Sequence, residues 1–317
     1  MKRIAELMKH DTGGDPMTGL KWTRKTTRKV ARELKKIGVH VSAKTVARLL
    51  KAMGYSLRVN HKKIASGSKN PPTPEERNRQ FEYISEMREA FAQRGSPIIS
   101  IDTKKKELIG NFKNDGKAWE KEALDVNDHD FRSDGVGLAI PFGVYDTQAN
   151  LGYVSVGNSA ETPRFVIDSI EHWWTHDGRK HYPSATELLV LADCGGGNAA
   201  RSRVLKYQIQ RQFCDVYNLK VTFCHYPPGT SKWNPIEHRL FSEITKNWRG
   251  KPLISFTVAR DYIRGTRTEP GLRVKARLVK KKYEKGIKVS EKEMKEIALS
   301  RHETLPKWNY TISPRRM

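Results

Sequence analysis

The sequence predicts an α/β fold, a mixed sheet covered by helices on both faces, preceded by an all-α region. Three observations carry this. Two apolar runs, Pro97-Ile98-Ile99-Ser100-Ile101 and Leu188-Leu189-Val190-Leu191-Ala192, have the length and composition of buried strands. Beyond residue 75, runs of this kind alternate with stretches of helical periodicity. Before residue 60, apolar residues recur at helical spacing between glycine stops. A length of 317 residues fits about two domains.

Taken in order, Trp22 to Lys36 reads as an amphipathic helix, with Val30, Ala31 and Leu34 at helical spacing and Gly38 as its stop. Ser42 is the N-cap of a second helix, whose stripe is Val46, Leu49 and Leu50 and which Gly54 ends. Two short helices joined by a glycine turn match a helix-turn-helix. Its second helix presents Lys44, Thr45, Arg48 and Lys51 to DNA. Tyr55-Ser56-Leu57-Arg58-Val59 then reads as a wing strand, and a basic helical hairpin with no DNA role is the plainer alternative. Residues 66–74, rich in Ser, Gly and Pro, form a linker. A helix over 75–93 follows, with Phe81, Ile84, Met87 and Phe91 on one face.

Strands are expected at 97–102 and 107–112, then a hairpin from Gly143 to Val156 that turns at Asp146–Asn150. A helix at 162–176, a strand at 187–192, a helix at 199–217, a strand at 219–224 and a helix opened by Asn234-Pro235 complete the core. Strands first, then helix and strand in alternation, is the order of a ribonuclease H-like fold. Residues 251–317 mix short apolar pieces with basic clusters such as Lys280-Lys281-Lys282 and receive no assigned structure. The expected domains are therefore 1–65 (helix-turn-helix), 66–95 (linker and helix), 96–250 (catalytic core) and 251–317 (basic extension).

Charge narrows the function. The chain has 59 Lys+Arg against 35 Asp+Glu, a formal charge of +24. Residues 1–70 carry 18 basic and 4 acidic residues, and residues 246–317 carry 20 and 7. The middle holds 21 basic and 24 acidic residues. Basic flanks neutralise phosphates and release counterions, while a near-neutral centre leaves carboxylates free for metal. Cys194, Cys214 and Cys224 include no Cys-x-x-Cys pair, which argues against a disulfide framework or a structural zinc site. With no apolar run of membrane-spanning length and no signal-peptide core at Met1-Lys2-Arg3-Ile4, the expectation is a soluble, cytoplasmic, nucleoid-associated protein with no membrane partner.

Three acids stand out. Asp102 ends the first apolar run, and Asp193 ends the second before Cys194-Gly195-Gly196-Gly197-Asn198. Carboxylates at rigid strand ends are placed accurately for metal binding. The glycines let backbone and ligand approach closely, and Asn198 is a candidate N-cap for the next helix. Glu237 lies in the first turn of a helix begun by Asn234 as N-cap and Pro235 as first residue. Each has a plainer reading as a loop start, a tight turn or a helix-dipole acid. Glu243, six residues on, is a rival for the third place but points to a different helix face. Together Asp102, Asp193 and Glu237 suit two Mg²⁺ or Mn²⁺ ions held through oxygen and an in-line displacement at phosphorus. Lys104, His225, Lys232, His238 and Arg239 are candidates to orient phosphate or support the ligands.

The chain resembles DDE transposases of bacterial insertion sequences, in the ISAzo-type or Rhodopirellula-type branch. The residues that carry this are Ser100-Ile101-Asp102-Thr103-Lys104-Lys105-Lys106-Glu107-Leu108-Ile109-Gly110, Ile140-Pro141-Phe142-Gly143-Val144-Tyr145-Asp146, and Ala192-Asp193 with its glycine run. To these add the segment from His225-Tyr226-Pro227-Pro228-Gly229 through Asn234-Pro235-Ile236-Glu237-His238-Arg239, and Asn247-Trp248-Arg249-Gly250-Lys251-Pro252-Leu253. The resemblance spans roughly residues 18–312. It implies a ribonuclease H-like core with Asp102, Asp193 and Glu237 as the metal-binding triad, taking two Mg²⁺ or Mn²⁺ ions per site. It also implies a helix-turn-helix that binds the element's terminal inverted repeats. Cleavage and transfer into target DNA would follow within a homodimer or higher oligomer. The chain starts late in the family's N-terminal region, so a short DNA-binding module is expected. Cys194 stands where the pattern calls for glycine and is expected to crowd the turn beside Asp193. A non-catalytic relic or domesticated DNA-binding protein, and a nuclease of the same fold, remain open alternatives.

Overall fold

In the computed structural model, residues 1–8, 12–14, 21–23, 26–55 and 71–315 are described. Two units are distinguished, Met1–Lys63 and Ile64–Met317.

The first unit contains α1 (Lys2–Met8), β1 (Thr12–Gly14) paired antiparallel with β2 (Lys21–Thr23), α2 (Thr27–Lys36) and α3 (Ala43–Ala52). Thr26 Oγ1 accepts from the Lys29 amide, and Ser42 Oγ from the Thr45 amide. Each helix thus starts where a hydroxyl first satisfies an orphan N–H. Ile4, Val30, Leu34, Val46 and Leu50 pack into one small core. The helix expected from Trp22 in fact begins at Thr27. Trp22 and Thr23, both residues that favour extended backbone, belong to β2 instead. Of the expected wing, Tyr55 lies in no strand, and Ser56–Val59 fall outside the described residues, as do residues 66–70 of the linker.

The second unit opens with α4 (Pro74–Gln93), whose Thr73–Glu76 capping box explains its sharp start. Then come β3 (Ile98–Thr103), β4 (Glu107–Ile109), β5 (Gly137–Asp146) and β6 (Leu151–Gly157). Next, α5 (Pro163–Trp173) runs through a π turn into α6 (Arg179–His181), and β7 (Glu187–Ala192) follows. In the same way α7 (Arg203–Ile209) runs through a π turn into α8 (Asp215–Tyr217), ahead of β8 (Lys220–His225). The remaining elements are a π turn at Glu237–Phe241 leading into α9 (Ser242–Asn247), then α10 (Phe256–Arg264), β9 (Arg273–Val279), α11 (Glu291–Lys295), β10 (Leu299–Arg301) and β11 (Asn309–Ile312).

The sheet order is β10-β11-β8-β7-β3-β5-β6-β9, with β4 attached to β5. Strands β3, β7 and β8 run parallel, while β5 pairs antiparallel with both β3 and β6. Alternation along a strand sends successive side chains to opposite faces. Accordingly Ile99, Ile101, Leu188 and Val190 join the core under α5 and α7, while Ile98, Leu189 and Leu191 pack under α4. Tyr145, Val154 and Val156 pack against Ile236, Leu240 and Ile244 and against α10. The sheet is therefore mixed and covered on both faces, the ribonuclease H-like arrangement expected from the element order.

Two differences matter. The strand expected at 107–112 is the short β4, off the main path of the sheet. Residues 251–317 are built into the sheet: they supply β9 at one edge and β10 and β11 at the other. Their apolar residues, among them Val274, Tyr310 and Ile312, are buried although basic residues surround them in sequence. No helix among the described residues is long and apolar enough to cross a membrane.

Candidate active site

Strand register brings the two aspartates together. Ile101 of β3 is paired with Ala192 of β7 in a parallel ladder, so Asp102 and Asp193 occupy the next positions of adjacent strands. Neighbouring strands are spaced about 4.8 Å apart. By alternation Asp102 shares its face with Ser100, on the side where the chain from Asn234 to Phe241 packs.

The third acid is delivered by a clip between that segment and β3. Asn234 does not cap the helix with its own side chain, as its sequence position suggested. It is fully buried and turned to the sheet, where its Oδ1 accepts from Ser100 Oγ at 2.5 Å and its Nδ2 donates to the Ile101 carbonyl at 3.1 Å. Ser100 Oγ in turn accepts from the Ile236 amide at 3.1 Å. The orphan amide of the helix start is thus satisfied by a strand residue two positions before Asp102. Glycine makes the close approach possible. A Cβ on Gly143, which pairs with Asp102 across β3 and β5, would stand 2.7 Å from Phe241 Cε1 and 2.8 Å from Ile236 Cδ1. One on Gly152 would stand 2.5 Å from Leu240 Cδ1.

Asp193 is held from behind. Its Oδ1 accepts from the Gly195 amide at 3.1 Å. His225, fully buried, uses Nδ1–H to donate to the Asp193 carbonyl at 2.9 Å, and its Nε2 accepts from the Tyr310 hydroxyl at 3.2 Å. Burial pushes the His225 pKa down to about 4, so the ring is neutral. It orients Asp193 through the backbone and is shielded from phosphate. Asn198 is not the N-cap of α7, since Ser202 Oγ accepts from the Leu205 amide there. Instead Asn198 is buried, and its side chain is among the groups that oppose the rise in the Asp193 pKa. The Cys194 thiol donates to the Tyr226 carbonyl at 3.2 Å, and burial, with the Asp193 charge next, raises it to about 12. The φ of Cys194 is not positive, so a non-glycine residue is free of left-handed backbone strain there.

The charges of the triad feel one another. Burial pushes Asp102 up to about 8, with the charge of Asp193 next and those of Glu237 and Glu161 adding to it. Burial likewise raises Asp193, aided by Glu161 and opposed by the Gly195 amide. Burial raises Glu237 too; His238, a hydrogen bond to Asp102 and Lys104 oppose this, and Asp193 adds to it. Carboxylates that repel one another in a desolvated site are hard oxygen donors suited to a divalent cation. The donor set therefore fits Mg²⁺ or Mn²⁺. As they stand, no three His, Cys, Asp or Glu side chains among the described residues are drawn into a ligand cluster.

Glu161 is the residue that sequence reasoning missed. It sits just before α5, where an acid reads simply as a helix-start charge. Its Oε1 accepts from the Gly197 amide at 3.4 Å, and its Oε2 pairs with Lys106 at 3.2 Å. A Cβ on Gly196, whose φ is +53°, would fall 2.0 Å from Glu161 Oε1. The glycine run thus makes room for a fourth carboxylate.

The other candidates separate. Lys104 is buried, its Nζ 2.5 Å from Glu107 and 4.6 Å from the centre of the Trp248 ring, so it is a counter-charge inside the site rather than a surface phosphate contact. Lys232, His238 and Arg239 flank Glu237 and are exposed. Glu243 pairs with Lys246 at 2.6 Å. In the first unit Lys44, Arg48 and Lys51 are exposed on α3 at helical spacing, opposite buried Val46 and Leu50. Thr45 shares its hydroxyl with Ser42 at 3.0 Å.

A sequence model of a family described as Rhodopirellula transposase DDE domain matches residues 3–314. No curated protein matches the chain. Among solved structures, the Mos1 transposase paired-end complex with left transposon end is 12% identical with a TM-score of 0.42, over 83% of this chain and 69% of that one. The Mos1 strand transfer complex gives 12%, 0.42, 83% and 68%. The Mos1 mariner paired end complex with Mn gives 12%, 0.42, 83% and 69%.

Proposed function

The chain belongs to the Rhodopirellula transposase DDE domain family, and from that premise we propose that it cuts the ends of an insertion sequence and joins them to target DNA. Asp102, Asp193 and Glu237 would hold two Mg²⁺ or Mn²⁺ ions. The observation that supports the reading is that Asp102 and Asp193 directly follow the paired residues Ile101 and Ala192 of adjacent parallel strands, while the segment that carries Glu237 is clipped to the first strand by Ser100 and Asn234.

The protein's own contribution is placement. The β3–β7 ladder sets the spacing of the two aspartates. The Gly195 amide and the buried, neutral His225 fix the orientation of Asp193. Lys104 balances charge beside Glu237 without reaching the surface. When bound, two such ions lower the pKa of the attacking water or 3′-hydroxyl and neutralise the leaving oxygen of an in-line displacement. Lys232 and Arg239 lie exposed beside Glu237 and would contact the DNA backbone at the cut. Lys44, Thr45, Arg48 and Lys51 of α3 would face the terminal inverted repeats. Pairing two ends calls for at least two protomers in the synaptic complex, working on nucleoid DNA in the cytoplasm.

The test uses labelled inverted-repeat ends, a target plasmid and Mg²⁺ or Mn²⁺. Joined products from the full chain, lost in D193N, are the expected result. Cleavage without joining would make the protein a nuclease of the same fold. DNA binding that is the same in both proteins, with no cleavage by either, would leave only a DNA-binding relic.

A further inference from the structure

A cavity of about 430 Å³ opens beside the Asp193 loop, and five cations line it: Arg201, Arg203, Lys206, Arg301 and Lys307. One acid, Glu291, shares it and is taken by Arg203 at 2.5 Å. Among the described residues neither Arg201 nor Arg301 has a carboxylate partner. Lys206 forms the floor. It is buried, its Nζ lies 4.5 Å from the centre of the Tyr310 ring, and it donates to the carbonyls of Ala200 and Ser202. Cations gathered in one concavity repel one another, and a polyanion relieves this.

The cavity is tied to the triad. Lys206 stacks on Tyr310, Tyr310 bonds His225, and His225 holds the Asp193 carbonyl. Arg201 and Arg203 lie on the segment that leaves Asp193. No aromatic side chain lines the cavity, so nothing there stacks a base, and the chemistry favours sugar–phosphate backbone over nucleobase.

We infer that this cavity seats backbone phosphates of the DNA strand that passes Asp193, with Arg201 and Arg301 as the principal contacts. The inference rests on the DNA reading above, but its test needs no cleavage. Binding of the full chain to a random-sequence duplex is followed by fluorescence anisotropy in EDTA over a range of salt concentrations. Each phosphate contact contributes a slope of roughly 0.9 in log K against log salt. R201Q/R301Q should flatten the slope by about 1–2 and weaken binding several-fold near 0.1 M salt, on the same phosphate arithmetic. R201K/R301K should restore the slope. A slope and affinity equal to wild type, or an equal loss in the control pair K285Q/K288Q, would overturn the inference. D193N, which abolishes cleavage under the proposed function, should keep the wild-type slope. The two readings therefore fail separately.

Discussion

Replacing Asp102 by Asn should stabilise the metal-free protein at alkaline pH, and the size of the effect follows from its surroundings. Burial, Asp193, Glu237 and Glu161 move its pKa from an ordinary 3.8 to about 8. A tenfold change in proton affinity corresponds to about 1.4 kcal/mol, so the rise in pKa bounds the cost of ionisation at roughly 6 kcal/mol on the same conversion. Side-chain reorientation and water entry relieve much of this, and about 2 kcal/mol is expected in practice. The sign is fixed by linkage. The folded chain binds this proton more tightly than the unfolded one, so between about pH 4 and pH 8 stability falls as pH rises. Asn at this position carries no such dependence. Melting in EDTA should therefore show D102N about 4–8 °C above wild type at pH 8, at roughly 2–4 °C per kcal/mol for a unit of this size. The gap should nearly close at pH 4.5. Added Mg²⁺ should raise the wild-type melting temperature at pH 8 and leave D102N nearly unchanged, because only a binding-competent folded state gains from ligand. Parallel melting curves for the two proteins from pH 4.5 to pH 8, in EDTA and in Mg²⁺, would refute the claim that Asp102 sits in a shared field of carboxylates.

Two further outcomes test the clip that delivers Glu237. S100A removes the acceptor of the Ile236 amide and a partner of Asn234. It should cost about 1–3 kcal/mol by denaturant unfolding and lower strand cleavage beyond what its stability loss accounts for. G143A places a Cβ 2.7 Å from Phe241 Cε1 and 2.8 Å from Ile236 Cδ1. It should destabilise by about 1–3 kcal/mol through overpacking and depress activity, while DNA binding measured by anisotropy stays at the wild-type level.

Much of the core was legible because the signals were local. The run Leu188–Ala192 is strand from end to end, Ser42 caps α3, and the strand ends that carry Asp102 and Asp193 are where the apolar runs stop. What could not be read was non-local. Asn234 has the residue type and the position of an N-cap, yet its side chain is spent on β3, a choice set by Ser100 more than a hundred positions away. Asn198 failed as a cap for a local reason, because Ser202 four residues on caps α7 instead. Residues 251–317 hid their strands because β9 and β10 are the two end strands of the sheet and β11 is only four residues long, and polar and basic side chains interrupt the apolar alternation there. Glu161 gave no signal at all, since its meaning comes from glycines that lie far along the chain.

The three acids differ in how they tolerate change. Asp102 and Asp193 are locked to a backbone ladder, so their separation is quantised. Losing one residue from β3 or β7 turns a carboxylate to the opposite face, and losing two restores the face but moves it along the strand by roughly 6–7 Å. Glu237 rides on a helix seated in a trough floored by Gly143 and Gly152, and small slides of that helix move it continuously. Copies of this gene that drift should therefore fail abruptly through insertions or deletions in the strands and gradually through substitutions under the helix.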